Sequence, residues 1–283
     1  MRTRFAPSPT GPLHLGHAFS ALTASQLAVT QGGEFLLRIE DIDQSRARAH
    51  WEDCIYDDLH WLGLDWPSPV LRQSSRADVY AAALDRLWEE GLLYACSCSR
   101  RDIKDAASAP QEGVEPHIGP DGIVYPGTCR GKPRSKMRPT GTALRLDLNK
   151  AMSRLPEQIE WRELGVSAGQ KSMDIKSALR TIGDAVLARP DMGAAYHLAV
   201  VIDDADQGIT VVVRGEDLQP ATPIHRILQI LLGLPEPEYH HHRLIRDEAG
   251  KRLAKRDDAR AIRKFREEGF SPSDIARMVG LSL

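Results

Sequence analysis

The sequence predicts an α/β fold built on a parallel sheet, and three observations carry that expectation. Strand, helix and strand follow one another at the start of the chain (Thr3–Ala6, Leu15–Thr30, Phe35–Ile39), the βαβ order from which parallel sheets are assembled. The acids Glu40, Asp41 and Asp43 come directly after the second strand, at the edge where open parallel sheets take their ligands. Apolar, strand-like texture then returns at Tyr196–Ile202 and Ile209–Arg214 after a long stretch of different composition, so the sheet is split by an insertion.

The elements follow in order. Leu15–Thr30 has amphipathic helical spacing and is stopped by Gly32-Gly33. Arg46–Leu62 and Ala77–Glu90 carry helical periodicity and complete a first half-domain, residues 1–95. From Cys96 to about Lys136 the chain is rich in Pro, Gly, Ser and charge, too poor in apolar residues to bury a core without a staple. Thr142–Leu148 alternates as a strand, and Arg154–Lys176 shows no clear period. This insertion is placed at 96–190, the second half of the sheet domain at 191–246, and a basic loop with a short helical tail at 247–283. Tyr196–Ile202 reads as a strand, Asp203–Gly208 as a hairpin turn, Ile209–Arg214 as its partner strand, and Thr222–Leu232 as a helix ended by Gly233.

Composition narrows the function classes. With 37 basic and 39 acidic residues the net charge is −2, which argues against a broadly basic, sequence-blind nucleic-acid binder. No run approaches the roughly 20 apolar residues of a membrane span, and the N-terminus lacks a signal-peptide pattern. The expected compartment is the cytoplasm. The four cysteines then read as thiols or metal ligands rather than disulfides.

The most informative segment is Phe5–His17, FAPSPTGPLHLGH. It has the form of a strand end, a Pro/Gly-kinked loop and a helix start. A helix start offers unpaired N–H groups and the positive end of the dipole, a ready phosphate site. His14 and His17, three residues apart, lie on one face of the first turn. Histidines near a helix start are more often caps or surface residues, and an isolated H-x-x-H is weak evidence. Here Arg4, Ser8, Gly11 and Gly16 complete one pattern with them.

A second cluster is Cys96-Ser-Cys98 with Cys129, in the core-poor stretch. Three cysteines there suggest a structural Zn²⁺, with the fourth ligand open among Tyr125, His117 and Asp121. Cys54 reads as an ordinary helix residue. His240-His-His242 reads as a turn flanking a strand, since three consecutive side chains cannot converge on one ion. The basic run Arg130–Arg138 is a candidate RNA contact or a solvated loop.

In combination these motifs resemble the class I aminoacyl-tRNA synthetases of the glutamyl and glutaminyl branch. HLGH at 14–17 is similar to the HIGH signature. RIEDID at 38–43 with Arg46 is similar to the block that meets the amino acid, and Arg252–Arg256 to the KMSKS lysine loop, with Ala254 and Arg256 in place of serines. The resemblance implies a Rossmann-like class I catalytic domain with an inserted zinc-containing α+β subdomain. It implies that Arg4, Ala6, Ser8, Glu40, Tyr196 and Arg214 bind glutamate. It also implies that His14, Gly16, His17 and Lys255 bind ATP with Mg²⁺, and that His14, His17 and Lys255 act in catalysis. For the metal it implies Tyr125 as the partner of Cys96, Cys98 and Cys129.

Only 28 residues follow Lys255, so no anticodon-binding domain is expected. The chain therefore resembles the truncated paralogues of glutamyl-tRNA synthetase. For that group the resemblance implies esterification of glutamate to queuosine in the anticodon of tRNA(Asp), not to the 3′ end; a monomer is expected. Charging of a tRNA 3′ end by a minimal synthetase and a non-catalytic glutamate/ATP-binding role are the alternatives.

Overall fold

The computed structural model describes residues 1–108, 116–245 and 260–282. The lysine loop with Lys255, Arg252, Ala254 and Arg256 lies outside the described residues.

The first half begins with strand β1 (Arg2–Phe5), helix α1 (Leu15–Thr30), strand β2 (Glu34–Ile39), helix α2 (Ala49–Trp61), strand β3 (Leu71–Arg72) and helix α3 (Ala77–Glu89). The three strands pair in parallel in the order β1-β2-β3. Ala18, Ala21, Ala24 and Ala28 line the buried face of α1, so its backbone approaches the sheet closely. Gly33 turns the chain into β2 where no other residue fits: a Cβ there would lie 1.9 Å from the Met1 carbonyl oxygen.

The middle of the chain contains β4 (Leu93–Cys96), α4 (Arg100–Ser108), the small hairpin β5 (Ile118–Gly119) and β6 (Gly122–Ile123), β7 (Ala143–Leu146), α5 (Leu148–Ala151), β8 (Gln158–Glu163), β9 (Gly169–Asp174), α6 (Ile175–Thr181) and β10 (Val186–Ala188). β10, β7 and β4 form an antiparallel sheet. Arg154–Lys176, unreadable by period, contains the antiparallel pair β8–β9. β8 also pairs in parallel with a later strand, so this segment is stitched to the second half of the sheet.

That second half contains helix α7 (Tyr196–Asp206), β11 (Val211–Gly215), α8 (Thr222–Leu232), β12 (Glu238–His242) and the tail helices α9 (Ile262–Glu267) and α10 (Pro272–Met278). Its strands run β11-β12-β8-β9. The amide of Thr210 donates to the Arg2 carbonyl at 2.9 Å, which seats the start of β11 beside β1. α8 ends as expected, on Gly233 in the left-handed region at φ 64°.

Two expectations are corrected. Tyr196–Ile202 is the front of a helix, and Asp203–Gly208 is that helix's last turn and exit rather than a hairpin. An unbroken apolar run does not distinguish a buried strand from a helix buried on all sides, and residues 197–204 are all buried. His240–His242 belongs to β12 itself rather than to a flanking turn, so alternate rings face opposite sides of the sheet.

Two large apolar clusters make up most of the buried core of the described residues. One joins α1, β1, β2, α2 and the tail through residues such as Leu22, Ile39, Ile55, Ile262 and Ile275. The other joins α3, β4, β7, α7 and α8 through Leu84, Leu93, Leu198 and Leu228. Among the described residues no helix is long and apolar enough to cross a membrane.

Asp58 of α2 is 1 % exposed, and neither of its carboxylate oxygens has a hydrogen-bond partner among the described residues. Burial pushes its carboxyl up to about 6. A raised folded-state value means stability is fullest below the ordinary 3.8 and is lost as pH rises through 6. Asp58→Asn is therefore expected to raise the melting temperature at pH 8 and leave it nearly unchanged at pH 4. Thermal unfolding at the two pH values checks this, and an equal effect at both would contradict it.

Candidate active site

A cavity of about 580 Å³ opens over the carboxyl ends of β1, β2 and β11 and the start of α1. Arg4, Ala6, Ser8, His14, Gly16, His17, Glu40, Tyr196 and Arg214, all singled out from sequence, line its wall. So do Asp217, His242 and Leu244, which the sequence reading left unassigned.

The histidines cap the helix. His14 is the N-cap, and its Nδ1 accepts from the Gly16 amide at 3.1 Å. The His14 amide in turn donates to His17 Nδ1 at 3.2 Å. This is a capping box with imidazoles in place of the usual hydroxyl and carboxylate. Both Nδ1 atoms accept, so a neutral ring in either position carries its proton on Nε2. Gly16 keeps the box closed, since a Cβ there would press on His14 Cε1 at 3.0 Å.

Beneath the cavity lies a buried charge cluster. Arg4 grips Asp204 with Nε at 2.9 Å and Nη2 at 3.2 Å, while its Nη1 donates to the Val213 carbonyl. Arg38, fully buried, donates through Nη1 to the same Asp204 at 2.7 Å and through Nη2 to Glu40 at 3.3 Å. Asp203 is met by Arg76, Gln73 and Tyr80. Burial pushes the Glu40 carboxyl up from its ordinary value, against the pull of Arg38 and Arg4. Asp204 goes the other way: although burial opposes its charge, Arg4 and Arg38 hold its carboxyl down at about 2.

Arg214 is surrounded differently. Its Nε donates to His241 Nε2 at 3.0 Å, Nη1 contacts His225 Nδ1 at 2.9 Å and Nη2 donates to the Thr222 hydroxyl at 2.9 Å. Among the described residues no carboxylate lies within ion-pair distance of it. Of the arginines in the wall, Arg4 is already neutralised by Asp204, whereas Arg214 meets, among the described residues, only imidazole rings and a hydroxyl.

Away from this cavity, the sulfurs of Cys96, Cys98 and Cys129 lie within 4.8 Å of one another. The Tyr125 hydroxyl sits among them, 3.4 Å from Cys96 Sγ and from Cys98 Sγ, and accepts from the Cys129 amide at 2.9 Å. Burial raises the Cys98 thiol, while contacts with Tyr125 and the Ser97 backbone outweigh burial at Cys129 and hold it at about 6. The Asp121 carboxylate is engaged elsewhere, 2.8 Å from His197 Nε2. In the basic run, Arg130 pairs with Asp184, Arg138 with Asp85, and Arg134 stacks over Trp88, so three of its charges have internal partners. Cys54 accepts from Arg263 of the tail.

Asp204 supplies stability that is present above the ordinary 3.8 of an aspartate and lost as pH falls through about 2. Asp204→Asn leaves two buried guanidinium groups short of their counter-charge and is expected to cost roughly 3 kcal/mol near pH 7. Urea unfolding at pH 7 and pH 3 checks this: the gap between variant and parent narrows at the lower pH.

The comparisons with known proteins bear on this geometry. Residues 1–282 match the family of tRNA synthetases class I (E and Q), catalytic domain. A protein of Rhodobacter capsulatus named Glutamyl-Q tRNA(Asp) synthetase is 58% identical over 99% of this chain and 100% of its own length. One of the same name from Nocardia farcinica is 42% identical over 99% of this chain and 84% of its own. Among solved structures, a glutamate tRNA ligase from Elizabethkingia meningosepticum in complex with its amino acid superposes with a TM-score of 0.75 at 28% identity. It covers 99% of this chain, which spans 60% of the length of that enzyme. A methionyl-tRNA synthetase from Mycobacterium tuberculosis shares the fold alone, at 11% identity and a TM-score of 0.60. The chain belongs to the class I tRNA synthetases of the E and Q group and is a ligase with their parallel-sheet catalytic fold.

Proposed function

We propose that the chain activates glutamate with ATP and transfers it to the queuosine base in the anticodon of tRNA(Asp). The observation that carries the reading is the cavity wall, where Arg214, with no carboxylate beside it among the described residues, and Arg4 and Glu40 stand next to a helix start capped by two histidines. A dicarboxylic amino acid needs cationic partners for its carboxylates and an acid for its ammonium group, and a triphosphate needs N–H donors. The wall contains both sets.

In this reading the Nη–H groups of Arg4 and Arg214 that their protein partners leave over take glutamate carboxylates, and Glu40 takes the amino group. Ala6, Ser8 and Tyr196 complete that pocket. The Nε2–H groups of His14 and His17, with the backbone of Gly16, face the phosphates. The α-carboxylate attacks the α-phosphorus of ATP, a bond to the bridging oxygen breaks, and pyrophosphate leaves. No side-chain nucleophile is required; positioning and charge neutralisation lower the barrier. Lys255, with the Mg²⁺ that accompanies ATP, is assigned to the developing phosphate charge. A hydroxyl of the queuosine cyclopentene then attacks the adenylate carbonyl and AMP leaves. The names of the relatives from Rhodobacter and Nocardia support this acceptor. The protein is read as a monomer that works on its tRNA in the cytoplasm.

Labelled glutamate and ATP, offered to total tRNA from queuosine-containing and queuosine-free cells, test the acceptor. Labelling of the queuosine-containing pool alone is expected. Equal labelling of both pools would replace it with charging of the 3′ end, and no labelling of either would remove the transferase reading.

We also propose that the segment 96–190 is stapled by Zn²⁺ held by Cys96, Cys98, Cys129 and Tyr125. The donor set fits: three sulfurs converge in a core-poor region, and the Tyr125 hydroxyl lies 3.4 Å from two of them. Four such ligands suit a closed, tetrahedral, structural site. Cys129→Ser is expected to lose the metal and several degrees of melting temperature. Elemental analysis alongside thermal unfolding checks this, and an unchanged melting temperature in metal-free protein would refute the staple.

A further inference from the structure

The partners of Arg214 are themselves connected. His225 Nε2 lies 3.0 Å from His197 Nδ1, and His197 Nε2 lies 2.8 Å from the Asp121 carboxylate. On the other side, His241 Nδ1 lies 2.5 Å from Glu163. A guanidinium donates and cannot accept, which fixes the direction of every link. His225 Nδ1 must accept from Arg214, so its proton is on Nε2 and points at His197. His197 Nδ1 must accept that proton's bond, so its own proton is on Nε2 and points at Asp121. His241 accepts at Nε2 and carries its proton on Nδ1, facing Glu163. The opposite tautomer of His225 would set two donors face to face at 2.9 Å.

The fold makes these links possible. Thr222 and His225, three residues apart, share one face of the first turn of α8. His197 follows Tyr196 in α7, and His241 sits opposite Arg214 in the β11–β12 register. The three rings are almost wholly buried, whereas the Asp121 side chain, in the turn between β5 and β6, is half exposed. Burial, with Arg214 beside them, pushes His225 well below the ordinary range and His241 to about 4, which agrees with neutral rings.

We infer that Asp121, His197 and His225 form a directed hydrogen-bonded line that positions Arg214, so that an exposed carboxylate of the β5–β6 hairpin sets the aim of an arginine in the amino-acid pocket. The inference rests on the reading of that pocket as a glutamate site. His225 acts through Arg214 and is a positioning residue.

Pyrophosphate exchange with glutamate and ATP tests it in the whole chain. A hydrogen bond to a charged group is commonly worth a factor of about 10 to 100. His225→Leu should raise the KM for glutamate by that order and leave the KM for ATP unchanged. His225→Asn, whose amide oxygen falls where Nδ1 was, should restore most of the loss. Asp121→Ala should raise the same KM by a smaller factor, because water reaches its position. An unchanged glutamate KM in His225→Leu, or an equal rise for ATP, would overturn the inference. Ring-nitrogen NMR decides independently of activity: His197 and His225 are expected as Nε2–H tautomers and His241 as Nδ1–H, and any other assignment overturns the line. An unsubstituted chain that exchanges no pyrophosphate with glutamate would refute the glutamate reading, while the ring tautomers still judge the relay.

Discussion

Two arginines from the first strands and two aspartates from the last turn of α7 are buried together, and this pairing governs how the halves of the sheet meet. Arg4 and Arg38 belong to β1 and β2; Asp203 and Asp204 lie more than 160 residues later. Charges out of water are tolerable only when matched in number and geometry. The α7 helix must therefore arrive in one register over β1 and β2, and Arg76 and Tyr80 of the first half hold Asp203 from a second side. Apolar packing supplies bulk stability, but it tolerates small slips; a bidentate grip on a carboxylate does not. The cavity takes its shape from that registration, since Arg4, Glu40 and Tyr196 are all neighbours of the charge cluster.

Much of this was legible in the sequence, for identifiable reasons. The βαβ opening could be read because α1 is long, ends on Gly32-Gly33 and is followed by the apolar run of β2. The segment Phe5–His17 announced a ligand-facing helix start because Pro, Gly and His each have a restricted use there. α7 was misread because its polar residues, Asp203 and Asp204, point inward to arginines that are distant in sequence, so no amphipathic period exists to be seen. For the same reason the partners of Arg214 were invisible: His197, His225 and His241 lie on three different elements, and only folding brings their rings into line. A run such as His240–His242 hides its logic until the two-residue period of a strand separates the rings.

The middle of the chain follows a different rule. The stretch after β4 has little apolar content, yet Tyr94, Cys96, Tyr125 and Cys129 form a small buried cluster of their own. Tyr94 is anchored to Asp184 at 2.5 Å, which also holds Arg130, so a polar knot backs the cysteine cluster. The β8 strand then joins β12, and the expected insertion is continuous with the main sheet through that pairing.

Arg214 carries a last consequence. Its positive charge is buried among imidazoles and a hydroxyl, and among the described residues no carboxylate touches it directly, an arrangement that costs the folded chain free energy. An anionic ligand relieves it. Occupancy and fold durability are therefore one thermodynamic quantity. Substitutions that ease the strain of the empty cavity, by giving Arg214 a carboxylate of its own, would harden the fold and blunt the site together.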